Sequence, residues 1–285
     1  MQTHLHGFQI LRRIGQSNTA EVFHVLRLVG DGRGSEFAAK VLREACAQDR
    51  IERRHLETEY AICSELDHPN LVRAYEIRLD AQQPFLVMDL VREARSLQQH
   101  LEGGPPPLGA ALEWLARVAE GLAYLHETGS VHRDVKPQNL LIGQGGKDVK
   151  VIDFALAGPQ DGWFGRHLLR RLLERRRPGT WSYMAPERIR NRRLTPAGDV
   201  YSLGVTLYET VTGRLPFTAP SPQALMEEHL YAPVPSLSRT GLDVPPAVDD
   251  LARAMLAKDP LDRPAGMRYV SAKLHAAAGA CRTGG

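Results

Sequence analysis

The segment Val131-His132-Arg133-Asp134-Val135-Lys136-Pro137-Gln138-Asn139 of this 285-residue chain is followed by the apolar Leu140-Leu141-Ile142 and then by Val151-Ile152-Asp153-Phe154. An Asp beside a Lys, with an Asn five residues on, offers a proton acceptor, a cation for phosphate and an oxygen ligand for a hard metal ion. Asp153, reached at the end of an apolar run, would supply a second metal ligand. A further lysine stands apart in the first third of the chain. On a strand Ala38 and Lys40 would point to one side and Phe37, Ala39 and Val41 to the other, so a small residue beside a charged one marks a ligand face. Glu59 lies three residues after Leu56 and four before Cys63, on the apolar stripe of a helix, where an unpaired carboxylate would be costly. Its position calls for a buried cation.

The elements that must hold these groups are legible from the patterning. Residues 8–42 alternate β-branched and aromatic runs with turn residues, Gly30 to Ser35 among them, and predict antiparallel strands joined by hairpins. A helix is predicted over residues 49–66, then two strands at Leu71–Ile77 and Pro84–Met88. Beyond Gly103-Gly104-Pro105-Pro106-Pro107 the pattern turns helical, as at Ala110–His126 and Leu203–Val211. The Ala- and Gly-rich residues 276–285 are expected to fray as a disordered tail.

A content of 43% apolar and 24% charged residues excludes a disordered, collagenous or coiled-coil chain. No apolar run reaches the roughly 20 residues of a membrane helix. The opening Met1-Gln2-Thr3-His4 is too polar for a secretory leader, so no transmembrane segment and a cytoplasmic location are expected. Three cysteines without a C-x-x-C pair are read as reduced packing residues. The net charge of +3 is local in origin, because Asp161 to Arg177 carries six arginines against Asp161 and Glu174. The remainder is nearly balanced, and no nucleic-acid partner is expected.

The chain resembles a serine/threonine protein kinase from Phe8 to about His275. His132-Arg133-Asp134 with Lys136 and Asn139 is similar to the catalytic loop, Asp153-Phe154-Ala155 to the metal-binding triplet, and Ala185-Pro186-Glu187 to the end of the activation segment. Asp199-Val200-Tyr201-Ser202-Leu203-Gly204 resembles the central helix of the large lobe, and Arg263 the arginine that pairs with Glu187. The resemblance implies a two-lobed α+β fold: a five-stranded antiparallel sheet with one helix over residues 8–88, a hinge at 89–91, and a mainly helical lobe over 92–275. It implies ATP as cofactor with Mg2+, or Mn2+ in its place, and a protein substrate.

Carried over residue by residue, Lys40 would be held by Glu59 and reach the α- and β-phosphates. Ile14, Val22, Ala38 and Leu141 would enclose adenine, Asp89 to Val91 would offer it backbone groups, and Met88 would be the gatekeeper. Asn139 and Asp153 would hold the metal, Lys136 would stabilise the transferred group, and Asp134 would orient and deprotonate a Ser or Thr hydroxyl. Thr180 would position substrate. His132, Arg133, Glu187, Asp199 and Arg263 would be structural.

The chain departs from the family pattern in three places. Its phosphate-covering loop reads Gly15-Gln16-Ser17-Asn18-Thr19-Ala20, keeping only the first glycine, with the Ser17 hydroxyl available to donate a hydrogen bond to phosphate instead. Ala155 stands where the triplet has glycine, and its Cβ should stiffen Asp153. Between Asp153 and Pro178 there is no Ser, Thr or Tyr to accept an activating phosphate; Trp163 to Arg177 instead predicts a basic amphipathic helix. Arg166–Arg177 would dock on the kinase itself or on an acidic partner or anionic surface. The alternatives to an active enzyme are a pseudokinase that senses nucleotide or scaffolds, and an anion- or nucleic-acid-binding protein working through that basic stretch.

Overall fold

The computed structural model describes residues 4–28, 34–160 and 180–283. The expected turn at Gly30–Ser35 falls largely outside these residues, and the expected basic helix at Trp163–Arg177 falls wholly outside them.

An antiparallel sheet forms the small lobe, from β1 (His4–Leu5), β2 (Phe8–Gln16), β3 (Ala20–Arg27), β4 (Glu36–Leu42), β5 (Ala74–Arg78) and β6 (Phe85–Met88), in the order β1-β2-β3-β4-β6-β5. Residues 8–88 supply the expected five strands, β2 to β6, and His4–Leu5 adds a sixth by folding back to pair with Phe8 and Gln9. Alternation along β4 sorts its side chains by face. Ala39 and Val41 join Leu5, Phe8, Val25, Phe85 and Val87 in a small outer core, while Ala38 belongs with Leu86 and Met88 to the large core beneath. The strand expected to begin at Leu71 begins instead at Ala74. Leu71 and Val72 are drawn toward the other lobe: the Val72 N–H donates to Val151 O at 3.1 Å, and the Val151 N–H to Asn70 O at 2.8 Å.

Helix α1 (Arg50–Cys63) starts at Asp49, whose carboxylate accepts the Ile51 N–H at 2.8 Å, and buries Leu56, Glu59 and Cys63 at helical spacing. After the sheet, β7 (Arg95–Ser96) leads into α2 (Leu97–Leu101), closed by a reciprocal Ser96–Gln99 cap. The long α3 (Leu108–Glu127) then carries a buried face from Ala111 to Leu125. Short strands follow: β8 (Ser130–Val131) pairs with β11 (Gly158–Pro159), and between them β9 (Leu140–Ile142) pairs with β10 (Val149–Val151) and with β7.

The large lobe is completed by α4 (Pro186–Ile189), α5 (Pro196–Thr212), α6 (Pro222–Tyr231), α7 (Pro246–Met255) and α8 (Met267–Thr283). Buried from Asp199 to Tyr208, α5 is the core of this lobe. Gly204 lets α7 approach it, since a Cβ there would lie 2.8 Å from Met255 Cβ. The C-terminal residues depart from expectation. Residues 276–283 continue α8 instead of fraying, because Val270, Leu274 and Ala278 form one buried stripe that extends the helix past His275. No helix among the described residues is long and apolar enough to cross a membrane.

Candidate active site

The β9–β10 hairpin brings two of the sequence-selected residues together. Leu140 pairs with Val151, and the Ile152 N–H donates to Asn139 O at 2.9 Å, so Asn139 and Asp153 leave the hairpin at the same end. Asp153 has φ of 66°, an unusual conformation for a residue with a Cβ, while Phe154 is fully buried edge-on against the His132 ring at 4.8 Å. The positive φ falls at Asp153 and not at Ala155, so the Ala155 Cβ is compatible with the conformation present.

Lys40 reaches this point from β4. Its Nζ lies 2.6 Å from Glu59 Oε2 and 3.0 Å from Asp153 Oδ1, joining α1 and the large lobe through one ammonium. Burial alone would lower the Lys40 pKa, but Asp153 and Glu59 outweigh it and raise it, so the lysine is charged. Burial raises the Glu59 pKa while Lys40 opposes the shift. At Asp153 burial is overcome by Lys40, and the carboxyl lies below its usual range.

Asp134 forms a second cluster. Lys136 Nζ donates to its Oδ2 at 2.7 Å, and Asn139 Nδ2 donates to its backbone oxygen at 2.8 Å and to Oδ2 at 3.1 Å. With the amide nitrogen so engaged, Asn139 Oδ1 is turned away from Asp134. Asp134 and Lys136 both contribute to the field at Asp153, so the two clusters form one site.

The loop carrying Asp134 is shaped from beneath by α5. Asp199 is buried and accepts the N–H groups of His132 and Arg133, both at 2.8 Å, and pairs with His126 Nε2 at 2.9 Å. Burial would raise its pKa, but these partners lower it. The Asp134 N–H donates to His132 Nδ1 at 3.2 Å, so the ring proton sits on Nε2, which donates to Ile152 O at 3.2 Å. Arg133, with φ of 68°, donates from Nη2 to Pro159 O at 2.6 Å, and its carbonyl accepts Arg188 Nη1. Glu187 and Arg263 form a buried two-pronged pair, with both N–O distances at 2.9 Å.

Around the cleft, Ala38 pairs in register with Met88, and Gly15 with Val22. Ala38 and Met88 are buried, Val22 and Leu141 partly so, and Ile14 is exposed. Just after β6 the Asp89 N–H donates to Arg73 O at 2.9 Å and is not open to a ligand. Sequence reasoning missed the role of the Asp89 side chain. It accepts from Tyr75 Oη at 2.6 Å and from Lys150 Nζ at 2.9 Å, tying the hinge to β5 and to β10. No local motif signals this contact, since its partners are 14 and 61 residues away. Burial would raise the Asp89 pKa, and Tyr75 and Lys150 bring it below its usual range.

Ser17 differs from expectation. Its hydroxyl turns back onto its own hairpin, accepting from the N–H groups of Ala20 at 3.0 Å and Thr19 at 3.3 Å, and lies 3.2 Å from Ala20 O. Thr180 opens the turn Thr180–Tyr183, and its side chain lies outside the described residues. Among the described residues no cluster of three or more His, Cys, Asp or Glu side chains could cage a metal by itself. Asn139 and Asp153 are two hard oxygen donors, the set suited to a magnesium ion that keeps waters and takes further ligands from phosphate.

This cluster of charged side chains lies between the small sheet and the helical lobe. Residues 8–274 match the protein kinase domain, and the chain belongs to that family. It is 34% identical over 257 residues to the serine/threonine-protein kinase PrkC of Bacillus subtilis, covering 90% of this chain and 38% of that protein. To the serine/threonine-protein kinase PknL of Mycobacterium tuberculosis it is 34% identical over 275 residues, covering 95% and 65%. To the serine/threonine-protein kinase pkn2 of Myxococcus xanthus it is 31% identical over 278 residues, covering 95% and 32%. The chain thus spans 32% to 65% of the length of these relatives.

Proposed function

We propose that this chain transfers the γ-phosphoryl group of ATP to Ser and Thr hydroxyls of protein substrates. The observation that carries this reading is the convergence of Lys40, Glu59 and Asp153 with Asp134, Lys136 and Asn139. Lys40, kept charged by two carboxylates, binds the α- and β-phosphates. Adenine lies between Ile14, Val22, Ala38 and Leu141 and meets the Asp89 carbonyl and the Val91 backbone. Asn139 Oδ1 and the Asp153 carboxylate hold magnesium, which when bound neutralises the phosphate oxygens. Asp134 aligns the incoming hydroxyl and accepts its proton as the new O–P bond forms and the bond to the ADP oxygen breaks. Lys136, beside Asp134, balances charge on the transferred group.

Activation proceeds without phosphorylation between Asp153 and Pro178, where no hydroxyl residue exists. In keeping with that, Arg133 is already hydrogen-bonded to Pro159 O in the unphosphorylated chain. One observation favours a second reading, a pseudokinase: the tip of the phosphate-covering loop is closed on itself by Ser17. The two readings separate on incubating the chain with γ-labelled ATP, magnesium and a general protein acceptor. Label in phosphoserine and phosphothreonine supports the enzyme, and nucleotide binding without label in any acceptor supports the pseudokinase.

A further inference from the structure

The tip of the β2–β3 hairpin is the part of the small lobe that would cover a triphosphate, and the groups a backbone offers an anion there are its N–H donors. In this chain three of those donors already have an acceptor. The Ser17 N–H donates to Ala20 O at 2.7 Å, and the N–H groups of Thr19 and Ala20 both point at Ser17 Oγ, at 3.3 and 3.0 Å. One side-chain oxygen receiving two backbone N–H groups is the arrangement an anion oxygen would adopt in the same loop. Serine stands here at a position where glycine would leave those donors open.

We infer that Ser17 is an internal stand-in for a phosphate oxygen, a self-cap that phosphate must displace before the loop can grip nucleotide. The inference rests on the ATP reading above and adds to it a residue that sets triphosphate affinity. Any bond made in the free state and broken on binding weakens binding, and the bonds at issue contact only the phosphate end of the ligand. The cap therefore discriminates between ligands. It penalises ATP and ADP, whose phosphates need the Thr19 and Ala20 N–H groups, and leaves adenosine untouched. It also holds the empty loop in one ordered conformation, a role the missing glycines would otherwise leave to the ligand.

The test is calorimetric titration of the full chain with MgATP and with adenosine, comparing the native protein with Ser17→Ala and Ser17→Thr. Net hydrogen-bond strengths predict that Ser17→Ala binds MgATP about fivefold more tightly. Adenosine affinity should stay within about twofold, and Ser17→Thr, which keeps the hydroxyl, should match the native chain. Amide exchange by NMR gives an independent reading on the free protein: the Thr19 and Ala20 N–H groups should exchange faster in Ser17→Ala. Unchanged MgATP affinity in Ser17→Ala overturns the inference, because the cap would then oppose nothing. Weaker MgATP binding also overturns it, making the hydroxyl a phosphate ligand instead. If the native chain binds neither MgATP nor adenosine, the nucleotide reading itself fails and the cap falls with it.

Discussion

Lys40 and Asp153, separated by 113 positions in the chain, meet with Nζ 3.0 Å from Oδ1. The contact joins the two lobes at the point where phosphate is proposed to bind, and the same ammonium holds Glu59 at 2.6 Å. Lys40→Met removes the cation and leaves Glu59 buried without a counter-charge. Turnover should fall by about 10²- to 10³-fold. Because Glu59 loses its partner, the melting temperature should fall as well. Glu59→Gln removes the charge but keeps a side chain able to bond Lys40, so it should retain more activity than Lys40→Met. Steady-state phosphorylation rates and thermal melts check both, and equal losses in the two variants would contradict the pairing.

Asp199 places the loop that carries Asp134 through its bonds to the His132 and Arg133 N–H groups. Asp199→Asn turns one acceptor oxygen into a donor facing a buried N–H group, a loss of about 1–3 kcal/mol. The expected signature is a lower melting temperature and a lower kcat with MgATP affinity preserved, since no nucleotide-binding side chain is touched. Titration calorimetry beside kinetics separates the two effects.

Glu187 and Arg263 form a second buried ion pair, and Arg263 also donates to Ala197 O at 2.7 Å and Ala257 O at 2.8 Å. Breaking such a pair from one side strands a buried carboxylate. Arg263→Met should therefore destabilise the protein by about 3–5 kcal/mol in denaturant unfolding. The double variant that also replaces Glu187 with Gln should recover part of that loss, and strict additivity would argue against the pairing.

His229 supplies a pH dependence. It is buried on α6 with Nδ1 2.8 Å from Tyr201 Oη, and burial, with Lys258 second, pushes its pKa from 6.5 down to about 3. The unfolded chain therefore takes up a proton near pH 6.5 that the folded chain refuses until about pH 3. Stability from this group is complete above pH 6.5 and is lost as pH falls below it. At about 1.4 kcal/mol per pH unit, the loss by pH 5 is about 2 kcal/mol. Replacing His229 with Asn should remove that part of the difference in unfolding free energy between pH 7 and pH 5. An unchanged difference would contradict the buried neutral imidazole.

Residues that act through neighbours in the chain are legible in the amino-acid sequence. Asp134, Lys136 and Asn139 share one loop, and the helical stripe of Leu56, Glu59 and Cys63 announces a buried carboxylate. Contacts made across the fold are legible only where the family resemblance carries them, as for Lys40 with Glu59 and Glu187 with Arg263. The hydroxyl at position 17 could serve a phosphate or its own turn, and only the hairpin geometry decides that it caps Thr19 and Ala20. Nothing near Asp89 in sequence announces Lys150, and nothing near His229 announces Tyr201. The end of α8 departs from expectation for a different reason: composition suggests fraying, but the register of Val270, Leu274 and Ala278 against the core decides where the helix stops.

The most direct measurement compares the native chain with Asp134→Asn for transfer of label from γ-labelled MgATP to a Ser- and Thr-containing protein, with nucleotide affinity recorded for both. If Asp134 aligns and deprotonates the hydroxyl, the variant binds MgATP as the native chain does and transfers label at least about 10²-fold more slowly. Transfer at the native rate by Asp134→Asn would contradict the account.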